Sequence, residues 1–266
     1  MKVGLNTYGY TYRESVLDTI PRLARTAGVD NFEILASPGH CWPRSAAERR
    51  ELAAVINGEG VEVSALNLRA SDHNLVSDYS DAQALALSHY RMLATAAAAA
   101  RIPYIVVVPG RTSSILSETF PILRDRFIKV IRDLNAQARD EGVGILLENV
   151  PLGFLGDTDS LVRMVEELGE PNINIVLDAA NAAFLGEDFR RSYERAADFV
   201  RMVHLSNTTT NKLKHNVFDA GTAPITDILR FICQYGRVEY VNVEVVGDES
   251  EIISNFRMAR STINNG

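Results

Sequence analysis

Eight times along this 266-residue chain, a short apolar run is followed by a longer stretch of helical period. The runs are Val3–Asn6, Asn31–Ala36, Val61–Leu68, Tyr104–Val108, Val143–Glu148, Asn174–Asp178, Val200–Leu205 and Val238–Val245. Each reads as a strand buried on both faces. The helical stretches between and after them are Glu14–Ala27, Ala46–Glu59, Asp81–Ala100, Leu116–Glu141, Ser160–Leu168, Glu187–Ala197, Pro224–Gln234 and Ser250–Ser261. Strict alternation predicts a parallel sheet with right-handed crossovers. Eight units in a chain of this length predict closure into an α/β (β/α)8 TIM barrel. No Pro/Ser-rich linker breaks the series, so residues 1–266 are expected to form one domain.

Local signals agree with this division. Gly28, Gly60, Gly142 and Gly169 each follow a helical stretch, where a left-handed residue closes the last turn. The run Ala96–Ala100 resembles low complexity but reads better as small residues that let one helix lie close against the barrel wall.

The four later strands carry the chemistry. Glu148, Asp178, His204 and Glu244 each stand at or near the C-terminal end of an apolar run. A charged group there costs several kcal/mol unless it has a partner, on the order of 2–7 even for a neutral polar group. In a closed barrel the strand C-termini converge on one mouth. Three carboxylates and one imidazole at one mouth suit a hard or borderline divalent cation. Mn²⁺ is the first expectation; Mg²⁺, Co²⁺ and Zn²⁺ are the others. The loops after the first four strands should face the same mouth. They hold Tyr8, Tyr10 and Tyr12, then Trp42, then Asn67, Arg69, Asp72, His73 and Asn74, then Pro109-Gly110-Arg111. Rings together with amide and charged groups suit a small polyhydroxylated ligand. Asn6, Tyr8, Trp42, Asn67, Asn181 and Lys214 are the expected substrate contacts.

Composition narrows the partners. Hydrophobic residues make up 46%, enough for a substantial core, and the formal net charge is −7. The absence of any basic tract argues against nucleic acid. The two cysteines, Cys41 and Cys233, lie far apart and form no CxxC pair. The N-terminal residues Met1-Lys2-Val3-Gly4-Leu5-Asn6 begin a strand without a signal-type apolar region, and the apolar stretch Ala94–Ala100 is too short to span a bilayer. A soluble, cytoplasmic protein without membrane partners is expected.

The segments around the four strand ends resemble the xylose-isomerase-like barrels. Glu148-Asn149-Val150, Leu177-Asp178-Ala179-Ala180-Asn181, Val203-His204-Leu205-Ser206 and His215…Gly221-Thr222-Ala223-Pro224-Ile225 carry the resemblance. Phe32-Glu33-Ile34 and Val107-Val108-Pro109-Gly110 extend it over nearly the whole chain. More narrowly, the chain resembles the sugar phosphate isomerase/epimerase group, which includes ketose 3-epimerases and inosose dehydratase. The resemblance implies that Glu148, Asp178, His204 and Glu244 bind one metal. It also implies that Glu148 and Glu244 transfer protons on opposite faces of an enediolate, formed by proton abstraction next to a metal-bound carbonyl. His215 matches a recurring His of that group and is a third catalytic candidate. Related barrels often pair, so a homo-oligomer is within the implied range.

Three positions depart from the ketose epimerases. Phe154 stands where they have a second Glu, Asn181 where they have a His, and Thr210 where they have an Arg. The expectation is therefore a metal-dependent isomerase or epimerase of a small sugar, inositol or related hydroxy-ketone. The alternative is a lyase or dehydratase on the same scaffold, with His215 protonating the leaving group. A nuclease like endonuclease IV fits poorly, because Val108 and Asn181 replace histidines it needs. An inactive binding protein fits poorly with an intact ligand set.

Overall fold

A computed structural model describes residues 1–112, 115, 118–235 and 237–265. Its centre is a closed parallel barrel. The strands are β1 (Lys2–Asn6), β2 (Asn31–Ala36), β3 (Glu62–Leu68), β4 (Tyr104–Val107), β5 (Gly144–Glu148), β6 (Ile173–Asp178), β7 (Val200–Leu205) and β10 (Tyr240–Val243). Each neighbours the next around the ring, and β1 closes it against β10. The helices α1 (Val16–Ala27), α2 (Ala46–Glu59), α3 (Ser80–Ala100), α4 (Phe120–Asp140), α5 (Thr158–Leu168), α7 (Phe189–Ala196), α8 (Ile225–Tyr235) and α9 (Glu249–Asn264) connect or follow the strands. Among the described residues the eightfold alternation read from the sequence is thus the architecture. The expected start of the fourth helix at Leu116 lies outside the described residues; the helix runs from Phe120.

Residue chemistry sets the helix ends. Ser45 and Glu48 form a reciprocal capping box on α2, and Asp157 caps α5 by accepting from Ser160 N–H at 2.8 Å. Gly28, Gly60, Gly142 and Gly169 all have φ between 62° and 72°, the left-handed form that closes a helix without Cβ strain. In α3 the side chains of Ala94, Ala96, Ala97 and Ala100 are buried, as small residues against a wall should be.

Some elements among the described residues were not legible in the pattern. Two short strands, β8 (Asn207–Thr209) and β9 (Lys212–Asn216), pair as an antiparallel hairpin after β7. A six-residue helix, α6 (Ala179–Phe184), follows β6 directly. The expected last strand, Val238–Val245, is shorter, Tyr240–Val243, so Glu244 sits just past its end. No helix among the described residues is long and apolar enough to cross a membrane.

The barrel interior is layered. Ala65, Val106, Leu146, Val176 and Met202 form a buried apolar layer, with Tyr104 and Tyr240 packed against it. Side chains two apart on a strand face the same way. Leu146, Val176 and Met202 therefore point the residues two further on, Glu148, Asp178 and His204, into the same interior, one layer nearer the C-terminal mouth.

Candidate metal centre at the barrel mouth

Barrel closure brings four side chains together. One ligand atom from each of Glu148, Asp178, His204 and Glu244 lies within 4.8 Å of the others, and all four residues are buried. Asp178 and His204 are register partners on β6 and β7. His204 Nδ1 lies 3.3 Å from Glu148 Oε1 and 3.3 Å from Glu244 Oε2.

The local structure presents one oxygen of each outer carboxylate inward. Asp178 caps α6: its Oδ1 accepts from the Asn181 N–H at 2.5 Å. The Asn149 amide clamps the Asp178 backbone, accepting from its N–H at 2.8 Å and donating to its carbonyl at 3.2 Å. Asp178 Oδ2 is left buried with no hydrogen-bond partner. Glu244 repeats the arrangement. Its Oε1 accepts from Asn6 Nδ2 at 3.2 Å, and its Oε2 is buried without a hydrogen bond. Buried acceptors are rarely left unpaired. Two such oxygens beside an imidazole nitrogen fit a divalent ion, which accepts carboxylate and imidazole donors together.

The electrostatics agree. Burial pushes the Asp178 carboxyl up to about 7, with the Glu244 and Glu148 charges adding to it and His215 and His204 opposing. Burial pushes Glu244 up to about 7 as well, opposed by His204. Burial pulls the His204 imidazole down, but the Glu33 and Glu244 carboxylates outweigh it and hold the group well above its ordinary value. These are the signs of too much negative charge in a dry place, which a cation relieves.

Above the quartet lies a cavity of about 460 Å³. Tyr8, Asn67, Asn181, Lys214 and His215 line it together with Glu148 and Glu244. Asn6 reaches the quartet through Glu244. His215 is carried on β9. Its Nδ1 is 2.9 Å from Ser206 Oγ and 3.5 Å from Glu244 Oε2, and its ring lies 5.7 Å from that of Tyr8. Trp42 is not among the lining residues. Its ring packs edge-on against His89 at 4.9 Å, over a separate hollow beside α1 and α2. A slightly larger hollow, about 500 Å³ and lined by Phe189, Arg230 and Phe231, lies by α7 and α8 and contains none of the quartet.

Residues beyond the six expected substrate contacts also reach the site, two of them, Arg69 and Arg111, from loops expected to face the mouth. Arg69, Ser71 and Arg111 line the cavity. Arg69 is held by Asp72 at 2.8 Å and by the Tyr12 hydroxyl. Glu33, wholly buried on β2, touches the quartet through His204. Its signals in the sequence were a charge inside the apolar run Asn31–Ala36 and a place in the Phe32-Glu33-Ile34 segment of the resemblance.

The match to known families covers residues 21–262, under the description "Xylose isomerase-like TIM barrel". No curated protein matches the sequence. Among solved structures, a D-tagatose 3-epimerase-like protein superposes with a TM-score of 0.87 at 20% identity, covering 100% of this chain and 99% of that one. A D-psicose 3-epimerase from Clostridium cellulolyticum H10, solved with D-tagatose, gives 0.82 at 20% identity over 100% and 99%. The IOLI protein, solved with a bound zinc atom, gives 0.81 at 18% over the same shares. At these identities the likeness is one of fold.

Proposed function

The chain belongs to the xylose isomerase-like TIM barrel family, and we propose that within it the chain is a divalent-metal-dependent isomerase or epimerase of a small sugar, inositol or related hydroxy-ketone. One observation carries this reading: three carboxylates and an imidazole meet within 4.8 Å beneath a polar cavity, two of their oxygens buried without a hydrogen bond. Glu148, Asp178, His204 and Glu244 would hold the ion, with Mn²⁺ the best fit and Mg²⁺, Co²⁺ and Zn²⁺ the other candidates. When bound, the ion supplies positive charge beside a ketone oxygen and so stabilises the negative charge left when a proton leaves the adjacent carbon.

The remaining chemistry belongs to the chain. Glu148 ends β5 and Glu244 follows β10, so they approach the cavity from different parts of the ring. One takes a proton from carbon and the other returns it. Asn6 fixes Glu244 through Oε1 and leaves Oε2 free to hold the ion. Tyr8, Asn67, Asn181 and Lys214 offer ring faces and hydrogen bonds to the hydroxyls of the substrate. The similar fold of a D-psicose 3-epimerase solved with D-tagatose, and of a D-tagatose 3-epimerase-like protein, supports a sugar-sized substrate for this chain. The reading takes residues 1–266 as one catalytic domain that needs neither nucleic acid nor a membrane and is compatible with a homo-oligomer.

His215 favours a second reading. It stands 3.5 Å from Glu244 Oε2 on a hairpin whose residues Lys212–Asn216 are exposed or half-buried. A proton donor there would serve a leaving group, which makes a lyase that expels water the alternative. The Mn²⁺-loaded protein, incubated in D₂O with a panel of ketoses, inososes and keto-acids, separates the two. Deuterium at carbon without a new double bond is expected. Loss of water would select the lyase, and no exchange or product with any member would overturn both.

A further inference from the structure

The four-residue quartet leaves a fifth ionisable group unexplained. Glu33 lies on β2, with β1 and β10 between it and β7, and is entirely buried. Its Oε2 is 2.8 Å from His204 Nε2 and 2.6 Å from Asn242 Nδ2, and its Oε1 accepts from Asn67 Nδ2 at 3.0 Å. All three partners are donors. A carboxylate is the side chain that accepts from every one of them.

The direction of the His204 contact is informative. A carboxylate only accepts, so Nε2 carries a proton when it meets Glu33. A neutral imidazole then has its lone pair on Nδ1, the nitrogen that faces Glu148 and Glu244. Asn242 is the register partner of His204 on the neighbouring strand and donates to the same Glu33 oxygen. Ser64 Oγ accepts from that amide at 3.0 Å. Glu33 is thereby held on both oxygens and cannot swing away from the imidazole.

We propose that Glu33 is a positioning residue for the metal: it fixes His204 as an Nδ1 ligand and strengthens that nitrogen as a donor. The inference rests on the metal reading above and adds a residue outside the ligand set. A buried carboxylate hydrogen-bonded to the far nitrogen of a ligating histidine holds the ring orientation and tautomer, and its loss typically weakens metal binding about 10–100-fold. Asn67 acquires a second meaning. Its amide is spent on Glu33 at the cavity wall, so it links the substrate cavity to the back of the metal ligand.

The test is zinc binding, measured by calorimetry on the chelated full-length protein, with Glu33→Gln beside wild type. The glutamine amide has one acceptor oxygen for three donors, so at least one of Asn67, His204 and Asn242 loses its partner. We expect zinc affinity to fall roughly 10–100-fold, while the melting temperature of the chelated variant shows it folded. A purely structural Glu33 would shift that melting temperature and leave zinc affinity alone; affinity within twofold of wild type overturns the proposal. If Glu33→Gln does not fold, the zinc-loaded wild type decides by nitrogen-15 NMR of its histidines. A His204 ring metallated at Nδ1, with an Nε2 proton shifted downfield by a carboxylate, is expected. Metallation at Nε2, or an Nε2 proton without that shift, overturns it. Wild type that takes up no zinc removes the metal reading itself, a different outcome from zinc bound equally by both proteins.

Discussion

Asp178 and His204 stand opposite each other in register on neighbouring parallel strands, and each lies two residues beyond a buried apolar side chain, Val176 and Met202. The pairing makes one carboxylate and one imidazole a single unit of the barrel rim. Asp178 gives Oδ1 to the first turn of α6 and keeps Oδ2 for the interior.

Asp178→Ala should therefore lose the metal while keeping the barrel. Metal bound only by the folded protein stabilises it, by about 2.7 kcal/mol when free metal is 100 times its Kd. Wild type should melt higher with Mn²⁺ than with chelator, and the variant should show no such increment. Stoichiometric metal in Asp178→Ala by elemental analysis would remove Asp178 from the ligand set.

Glu148→Gln and Glu244→Gln each keep one oxygen and lose the base. Both should retain some metal and lose solvent-deuterium exchange into substrate by about 100-fold or more, the loss of a positioned proton-transfer group. Exchange at the wild-type rate in two metal-bound variants would move the base elsewhere, with His215 the next candidate.

The raised carboxyls give a pH dependence of unusual sign. The Asp178 and Glu244 carboxyls titrate at about 7 in the folded, metal-free protein and nearer 4 when unfolded. Between those values the native state binds more protons, so stability from these groups falls as pH rises. His204 acts in the same direction, since its folded value lies above its unfolded one and its contribution is lost at higher pH. Metal competes with those protons. The gap in melting temperature between loaded and chelated protein should widen from pH 5 to pH 8, and a gap independent of pH over that range would contradict it.

Gly221 ties the hairpin to the site. A Cβ there would collide with the Asn207 side chain and the Thr208 carbonyl. Asn207 itself pins the turn, donating to the Phe218 carbonyl at 2.6 Å and accepting from the Ala223 N–H at 2.9 Å. Gly221→Ala should cost about 1–3 kcal/mol in chemical denaturation, the usual range for overpacking. It should also lower activity more than metal content, because the hairpin carries His215 and Lys214. Wild-type stability in the variant would show that the turn yields without cost.

The sequence by itself determined the order and spacing of the barrel. Apolar runs and helical periods are local signals, and the strands Asn31–Ala36 and Val200–Leu205 match residue for residue. It also singled out Glu148, Asp178, His204 and Glu244, because a charge at the end of an apolar run is conspicuous without neighbours. The short helix Ala179–Phe184 and the hairpin of residues 207–216 were not legible. The first depends on a cap from Asp178, and the second consists largely of polar residues held by Asn207 and Thr208. Trp42 shows the same limit: a ring in a mouth loop gives no direction, and packing turns it onto His89. Only the tertiary structure decided the place of Glu33, which is 171 residues from His204 in the chain and 2.8 Å from it in space. Periodicity reports which face of a strand is buried. What shares that interior is fixed when the ring closes, since the strand tilt that closure demands sets which layers of distant strands meet.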